Sequence, residues 1–202
     1  SLGLSHVFAT WIDPEIEADY MAKHIHKSFT KVSVLAAQQS WDLMVAESFK
    51  KQFIELNGEV VSYAAPLNTN PDVRAEVLRL RLSKPEAVFI SSYTLLPNYL
   101  RAALRAAGEV SDGLISLGPS VPDSTFIKKY ESRYGAGPDN PSYQAYDAIR
   151  LLAQAIQAKG TRPGDVLQYL SSFQSFEGAS GTIRNVDGKT ITSIALFVAK
   201  DG

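Results

Sequence analysis

The fold class of this chain follows from residues 31–41, KVSVLAAQQSW. A short apolar run with two β-branched valines predicts a buried strand over Lys31–Ala37. A helical pattern continues over Trp41–Leu56, with Ser40 placed to cap its start and Asn57-Gly58 placed to end it. The segment therefore predicts a buried strand that leads, through a polar turn, into a helix that begins with a tryptophan.

The same alternation of strand and helix continues beyond this segment. Strands are predicted over Glu59–Ala64, Glu86–Ser91 and Asp112–Leu117, and helices from Asn70-Pro71-Asp72 to Leu82 and over Pro97–Ala107. Strands and helices that alternate with short turns predict an α/β fold. We expect a doubly wound parallel sheet with right-handed crossovers and helices on both faces.

The pattern changes after residue 120. Three predicted helices follow almost directly, over Ser124–Tyr134, Pro141–Lys159 and Pro163–Leu170. A polar, glycine-rich turn region over 177–188 and a closing strand over Thr190–Ala199 come next. We therefore expect the C-terminal third to pack partly apart from the first sheet.

The composition excludes several classes of protein. The 202 residues include 20 basic and 21 acidic side chains, so the formal net charge is −1, which argues against nucleic-acid binding. The longest apolar-rich run, Ile191–Ala199, is far shorter than the ~20 residues that span a bilayer. Because the chain has no cysteine, disulfides, thiolate nucleophiles and sulfur-ligated zinc are excluded.

The first residues, Ser1–His6, show no basic segment followed by an apolar core, so no signal peptide is visible. Because the chain does not begin with methionine, we expect a processed or trimmed product. The absence of cysteine suits an oxidising compartment, but it also occurs in the cytoplasm, so composition does not decide the localisation.

No motif of an enzyme is found. The chain contains no G-x-G-x-x-G, no G-x-x-x-x-G-K-[ST] and no G-x-S-x-G. His24 and His26 are two residues apart on a predicted helix and lie on different faces, which is wrong for a shared metal. We therefore predict no cofactor and no metal.

The acidic group Glu15, Glu17 and Asp19 is interpreted as the solvated first turn of a helix, where negative charge suits the helix dipole. The sequence shows no activated nucleophile and no tuned acid/base pair. We therefore predict that the chain is not an enzyme.

Two strand ends carry the residues that indicate a binding site. Ligands of doubly wound sheets bind outside the carboxyl ends of the parallel strands. Gln39 and Trp41 follow the first strand, and Ser91, Ser92 and Tyr93 end the third. Small polar groups beside a large aromatic suit a small ligand with an apolar body and a polar head. Trp41 covering only the first turn of its own helix is the alternative, and both interpretations stay open here.

Seven segments occur in an order that is typical of one family. They are Val7–Thr10, Lys31–Trp41, Leu56–Val61, Lys84–Phe89, Phe126–Gly135, Tyr146–Ala148 and Phe176–Gly188. This series resembles the type I periplasmic solute-binding proteins of ABC transporters, in the branched-chain amino-acid (Leu/Ile/Val) binding group. The resemblance runs from one end of the chain to the other, and Tyr130, Tyr134-Gly135 and Tyr146–Ala148 are its most specific residues.

The resemblance implies three parts: an α/β ligand-binding lobe over 1–118, a helical part of the other lobe over 119–180, and a strand region over 181–202 that returns across the hinge. Ala9 stands where the family usually has arginine, and Trp41 where it usually has tyrosine. An N-terminal segment of the family, and a strand and loop near Ala107–Glu109, have no counterpart. We expect either a shortened chain or residues that were left out.

The resemblance also implies a function. The protein would capture an amino acid, or a related aromatic or aliphatic acid, in the periplasm for a membrane ABC permease. The residues so implied are Trp41 and Tyr93 flanking the solute, Gln39, Ser91 and Ser92 lining the rim, and Trp11 near the hinge. The alternatives are a ligand-sensing domain of a receptor or regulator, an enzyme with an unrecognised site, and a fragment that self-associates, with a dimer expected if the missing lobe is truly absent.

Overall fold

The computed structural model describes residues 7–66, 74–92, 115–119, 123–186 and 189–198. The chain divides into two compact units, which are treated separately below. The α/β unit comprises Asp13–Ile115 and Val198–Gly202, and the mixed unit comprises Ser1–Ile12 and Ser116–Phe197. The three-part division predicted from the sequence concerns the lobes of a longer protein and stays a prediction.

A parallel sheet forms the centre of the α/β unit. Its strands are β1 (Lys31–Ala36), β2 (Glu59–Ala64) and β3 (Ala87–Ser91), in the order β2-β1-β3. β1 pairs in parallel with both neighbours, and every residue of β1 after Lys31 is buried. Central parallel strands are covered on both faces, which explains why β1 has an almost continuous apolar sequence.

Helices cover both faces of this sheet. The unit contains α1 (Pro14–His26), α2 (Ser40–Glu55) and α3 (Arg74–Ser83). Phe49 of α2 stacks on Phe89 of β3, with 3.9 Å between ring centroids, and Phe89 lies beside Val34 in the register. Ser33 Oγ lies 3.1 Å from Ser83 Oγ, at the end of α3. Because Ser33 and Val34 are successive strand residues that point to opposite faces, α2 and α3 lie on opposite faces, and the predicted doubly wound α/β fold is confirmed.

The mixed unit is built on a small antiparallel sheet. Its helices and strands are β4 (Ile115–Pro119), α4 (Ser124–Tyr134), α5 (Asn140–Lys159), α6 (Pro163–Ser172), β5 (Ser175–Gly178), β6 (Gly181–Val186), β7 (Lys189–Thr192) and β8 (Ile194–Val198). β5, β6 and β7 pair in that order, and β4 pairs with β8. Leu151, Phe173, Phe176 and Ile183 form the buried apolar cluster between α5, α6 and the sheet.

Asp147 of α5 fixes the turn between β5 and β6. Its side chain is fully buried, and its carboxylate accepts hydrogen bonds from Ala179 N–H at 2.7 Å and from Ser180 N–H and Oγ at 2.7 and 2.6 Å. Gly178 lies directly against this carboxylate, since a Cβ built there would be 2.2 Å from Asp147 Oδ2. The turn therefore needs a glycine beside a buried acceptor, which explains part of the Tyr146–Ala148 motif.

Two predicted strands differ from the sequence-based expectation. The strand predicted over Asp112–Leu117 is found as β4, which pairs with β8 instead of joining the parallel sheet β2-β1-β3. The predicted closing strand Thr190–Ala199 is wrong as a single strand, because Ser193 interrupts it between β7 and β8. Ser193 is still bonded to β6, since its N–H and Oγ both donate to Thr182 O at 3.0 and 2.8 Å, and β8, which follows it, pairs with β4 instead. The predicted helix Pro97–Ala107 and the helix start at Asn70–Asp72 lie outside the described residues.

The Asp147 turn leads to a test of stability. Asp147→Asn keeps the volume of the side chain but places an NH₂ group where an acceptor is needed, so buried donors lose their partner. We expect the free energy of unfolding to fall by about 3 kcal/mol. Urea unfolding followed by circular dichroism measures this change.

Glu177→Gln is the matched control in the same unit. Glu177 is exposed and accepts one hydrogen bond from Thr182 Oγ1 at 2.9 Å. We expect its substitution to change the free energy of unfolding by less than about 0.5 kcal/mol. Equal losses in the two variants would contradict a special role for the buried carboxylate.

Candidate functional site

The carboxyl ends of β1 and β3 lie side by side at one edge of the parallel sheet. Ala36 is the register partner of Ser91, and Ala37 N–H donates to Ser91 O at 2.9 Å. Immediately beyond this bond, the chain runs through Gln39 into α2. The two strand ends singled out in the sequence therefore meet at one edge, which we call the rim and define as Gln39, Trp41, Ser91 and Ser92.

Ser91 joins the end of β3 to the first turn of α2. Its side chain is buried, and its Oγ donates to Asp42 O at 2.8 Å. This bond fixes the start of α2 against the sheet and so fixes the position of Trp41. The Ser91 hydroxyl proton is used within the protein, and the neighbouring rim residues Ser92 and Gln39 are half-buried.

Trp41 has one buried end and one accessible side. The residue as a whole is half-buried in the first turn of α2, whereas its indole nitrogen Nε1 is buried. A flat aromatic group of this kind presents apolar area to a ligand while its polar edge stays inside the protein.

Glu17 of α1 is buried, and its interpretation as a solvated residue was wrong. Its exposed fraction is 8%, and its Oε2 atom is buried. The reason lies in the helical repeat: Glu17 falls on the face of α1 that is buried. The other buried residues of that face are Pro14, Ala18, Met21, Ala22 and Ile25. The 3.6-residue period of the helix was the sequence signal that would have identified Glu17 as an inward-facing acid.

Burial raises the pKa of Glu17 from 4.5 to about 7. Interaction with the Trp41 side chain lowers this pKa, and the negative charge of Asp42 raises it. Asp42 is itself buried, with 1% of its surface exposed. The Glu17–Trp41–Asp42 cluster therefore places two carboxyl groups and an indole together at the first turns of α1 and α2, beside the rim.

Of the six predicted site residues, five are described by the structure and four of these lie at the rim. Gln39, Trp41, Ser91 and Ser92 are brought to the rim of the α/β unit. Trp11 is half-buried and belongs to the mixed unit. Tyr93 lies outside the described residues. Their roles toward a solute stay predictions.

Three further features of the described residues concern metal binding, cavities and membrane spans. Within the described ranges, no group of three or more histidine, aspartate or glutamate side chains could hold a metal ion. A cavity of about 480 Å³ lies at the C-terminal ends of α1 and α2; it is lined by Tyr20, Lys23, His24, His26, Lys27 and Leu56. No helix in the described part of the chain is both long enough and apolar enough to cross a membrane.

Solved structures share this fold. The chain is similar to the leucine-binding protein LivK of Thermotoga maritima, at 21% sequence identity and a TM-score of 0.82, covering 99% of this chain and 66% of that one. It is similar to a solute-binding protein of an ABC transporter from R. palustris in complex with benzoate, at 20% identity and a TM-score of 0.77, covering 98% and 63%.

A third match is an ABC transporter substrate-binding protein from Desulfitobacterium hafniense in complex with Leu, at 21% identity and a TM-score of 0.76, covering 100% of this chain and 67% of that one. No protein-family model and no curated protein matches the chain. The chain spans about two thirds of the length of these structures. It has the fold of the type I periplasmic solute-binding proteins, as the sequence motifs predicted.

The buried acid Glu17, beside the rim, makes the stability of the protein depend on pH. Between about pH 4.5 and pH 7 the unfolded chain has released the Glu17 proton that the folded protein still binds. The free energy of unfolding therefore falls as the pH rises through this window. Glu17→Gln does not titrate, so relative to wild type it should gain about 3 kcal/mol between pH 4 and pH 8.

Urea unfolding at five pH values across this window measures the effect. Glu15→Gln is the control, because Glu15 is an exposed acid in the same helical turn. We expect Glu15→Gln to keep the pH dependence of the wild type. A wild-type profile that Glu17→Gln leaves unchanged would contradict burial of an ionisable Glu17.

Proposed function

We propose that this chain, with its type I periplasmic binding-protein fold, belongs to a non-enzymatic binding protein that captures a small solute for an ABC importer. The solute class is an amino acid or a related aromatic acid. The observation that carries the proposal is the rim itself, where a half-buried tryptophan and polar groups stand at the carboxyl ends of two adjacent parallel strands. Ligands of open α/β sheets bind at such edges.

The chemistry of the rim suits a solute with an apolar body and polar ends. The Trp41 ring offers flat apolar area, and Gln39 and Ser92 offer amide and hydroxyl groups beside it. Small-molecule sites typically combine apolar walls with a few such polar groups. Leucine and phenylalanine have this character, and so do benzoate and its hydroxylated forms.

The ligands of the matching structures are of the same kind. One is in complex with Leu, one with benzoate and another with 4-hydroxybenzoate. Each ligand has a carboxylate at one end and an apolar group at the other. We extend this general class to the present chain.

Transport also implies a place and a partner. A binding protein of an importer delivers its solute to a membrane permease from the extracytoplasmic side, so we place this protein in the periplasm and take an ABC permease as its partner. Two lobes of the whole protein would close around the solute by a hinge motion, as those of other periplasmic binding proteins do.

The first test is solute binding by the full-length protein. Isothermal titration calorimetry with leucine, phenylalanine, benzoate and 4-hydroxybenzoate should find at least one ligand. Trp41→Ala removes the apolar wall and should weaken that binding tenfold or more, on the order of 1–2 kcal/mol. Trp41→Phe keeps a ring and should weaken it less.

Met44→Ala is the matched control. Met44 lies one turn further along α2 and is 51% exposed, so its loss should leave the affinity within about twofold of wild type. If Trp41→Ala and Met44→Ala had the same affinity as wild type for a solute that binds, the rim would not be the binding site. If none of these solutes bound, the proposed solute class would be wrong.

A further inference from the structure

Two buried polar atoms in the Glu17–Trp41–Asp42 cluster lack hydrogen bonds. Trp41 Nε1 and Glu17 Oε2 are both buried, and neither has a hydrogen-bond partner in the part of the chain that the structure describes. The indole nitrogen carries one N–H donor and no acceptor, and an ionised carboxylate only accepts. A buried donor and a buried acceptor therefore lie in the same cluster without a hydrogen bond. Native proteins generally avoid such unsatisfied buried polar groups.

The two side chains nevertheless interact. Trp41 stabilises the ionised form of Glu17, as an N–H directed at a carboxylate does. The interaction falls short of hydrogen-bond geometry in this conformation. A bond from an N–H to a charged carboxylate is roughly twice as strong as one to a neutral carboxylic acid.

Glu17 is positioned to act through Trp41 rather than on a solute. With 8% of its surface exposed and Oε2 covered, Glu17 offers almost no area to a ligand. Trp41 joins the two environments, because its indole nitrogen is buried while the residue as a whole is only half-buried. A change in the interaction between Glu17 and the indole nitrogen therefore changes the position of the Trp41 ring at the rim.

The charges around Glu17 favour uptake of a proton near neutral pH. α2 is the element that packs most extensively on α1, and the charged group that it presents to Glu17 is Asp42. The rim residues at the ends of β1 and β3 are uncharged: Gln39, Ser91 and Ser92. With repulsion from one carboxylate and burial acting together, Glu17 has a pKa of about 7.

We propose that Glu17 is a positioning residue for Trp41: its ionised carboxylate holds the indole in place at the rim, and a proton on Glu17 releases it. The orientation of the tryptophan at the rim is then set by pH. The effect of Glu17 on solute binding rests on the proposed function. The interaction between Glu17 and the Trp41 indole is a property of the protein without solute.

The effect of Glu17 on the Trp41 indole is tested by fluorescence, without any ligand. Trp11 and Trp41 are the two tryptophans of the chain, so Trp11→Phe leaves Trp41 as the single fluorescent reporter. In this background, we expect the Trp41 emission and its anisotropy to change between pH 5.5 and pH 8.5 with a midpoint near 7. A second substitution, Glu17→Gln, should abolish the change, and Glu15→Gln should preserve it.

Two neutral substitutions of Glu17 separate positioning from simple packing. Glutamine is neutral like the protonated acid, so Glu17→Gln should keep the anisotropy of Trp41 at its low-pH value at every pH. Alanine offers no acceptor, so Glu17→Ala should give an anisotropy no higher than that value at every pH. A purely structural role would lower the melting temperature of the variants but leave the Trp41 titration as in the parent. An emission that does not titrate, or that titrates equally in Glu17→Gln, overturns the proposal.

Solute binding supplies an independent measurement. If a solute binds, wild-type affinity should fall about tenfold from pH 8.5 to pH 5.5, as a charge-assisted bond becomes a neutral one. Glu17→Gln should bind with an affinity that does not depend on pH. A Glu17-dependent titration in a protein that binds none of the solutes would uphold the positioning of Trp41 and refute the proposed solute class. Tight binding with an affinity independent of pH in wild type would refute the positioning instead.

Discussion

The parallel pairing of β1 with both of its neighbours is the constraint on which the α/β unit depends. Parallel strands bring their carboxyl ends to a single edge, and here the bond from Ala37 N–H to Ser91 O closes that edge. The start of α2 is then fixed by Ser91 Oγ, which donates to Asp42 O. Because Trp41 lies in that first turn, the position of Trp41 follows from the hydrogen bonding of the sheet.

Two buried carboxyl groups show how burial has different consequences. Asp147 is fully buried, and three hydrogen-bond donors satisfy it, so it serves as a fixed part of a turn. Glu17 is buried beside Trp41 and near Asp42 with an unpaired oxygen, so burial raises its pKa to about 7. The first arrangement stabilises one conformation. The second leaves a proton equilibrium near neutral pH, and perturbed groups of this kind often occur at functional sites.

The sequence was sufficient for the α/β unit where local signals agreed with one another. In β1 and β2, apolar composition, length and flanking turns all indicated the same strands, and the observed bounds match closely. Ser193 shows the limit, since its surroundings have high β propensity and nothing local predicts the break. The break depends on hydrogen bonds to Thr182, a residue 11 positions away on another strand.

At the rim, the sequence alone determined which residues follow the strand ends, since chain order and the parallel topology fix the places of Gln39, Trp41, Ser91 and Ser92. Tertiary structure alone decided what surrounds them. Glu17 is 24 residues before Trp41 along the chain, and only the packing of α1 on α2 brings its carboxyl group beside the indole. The pKa of an acid depends on desolvation and on neighbouring charges in space, and neither quantity is written in the local sequence.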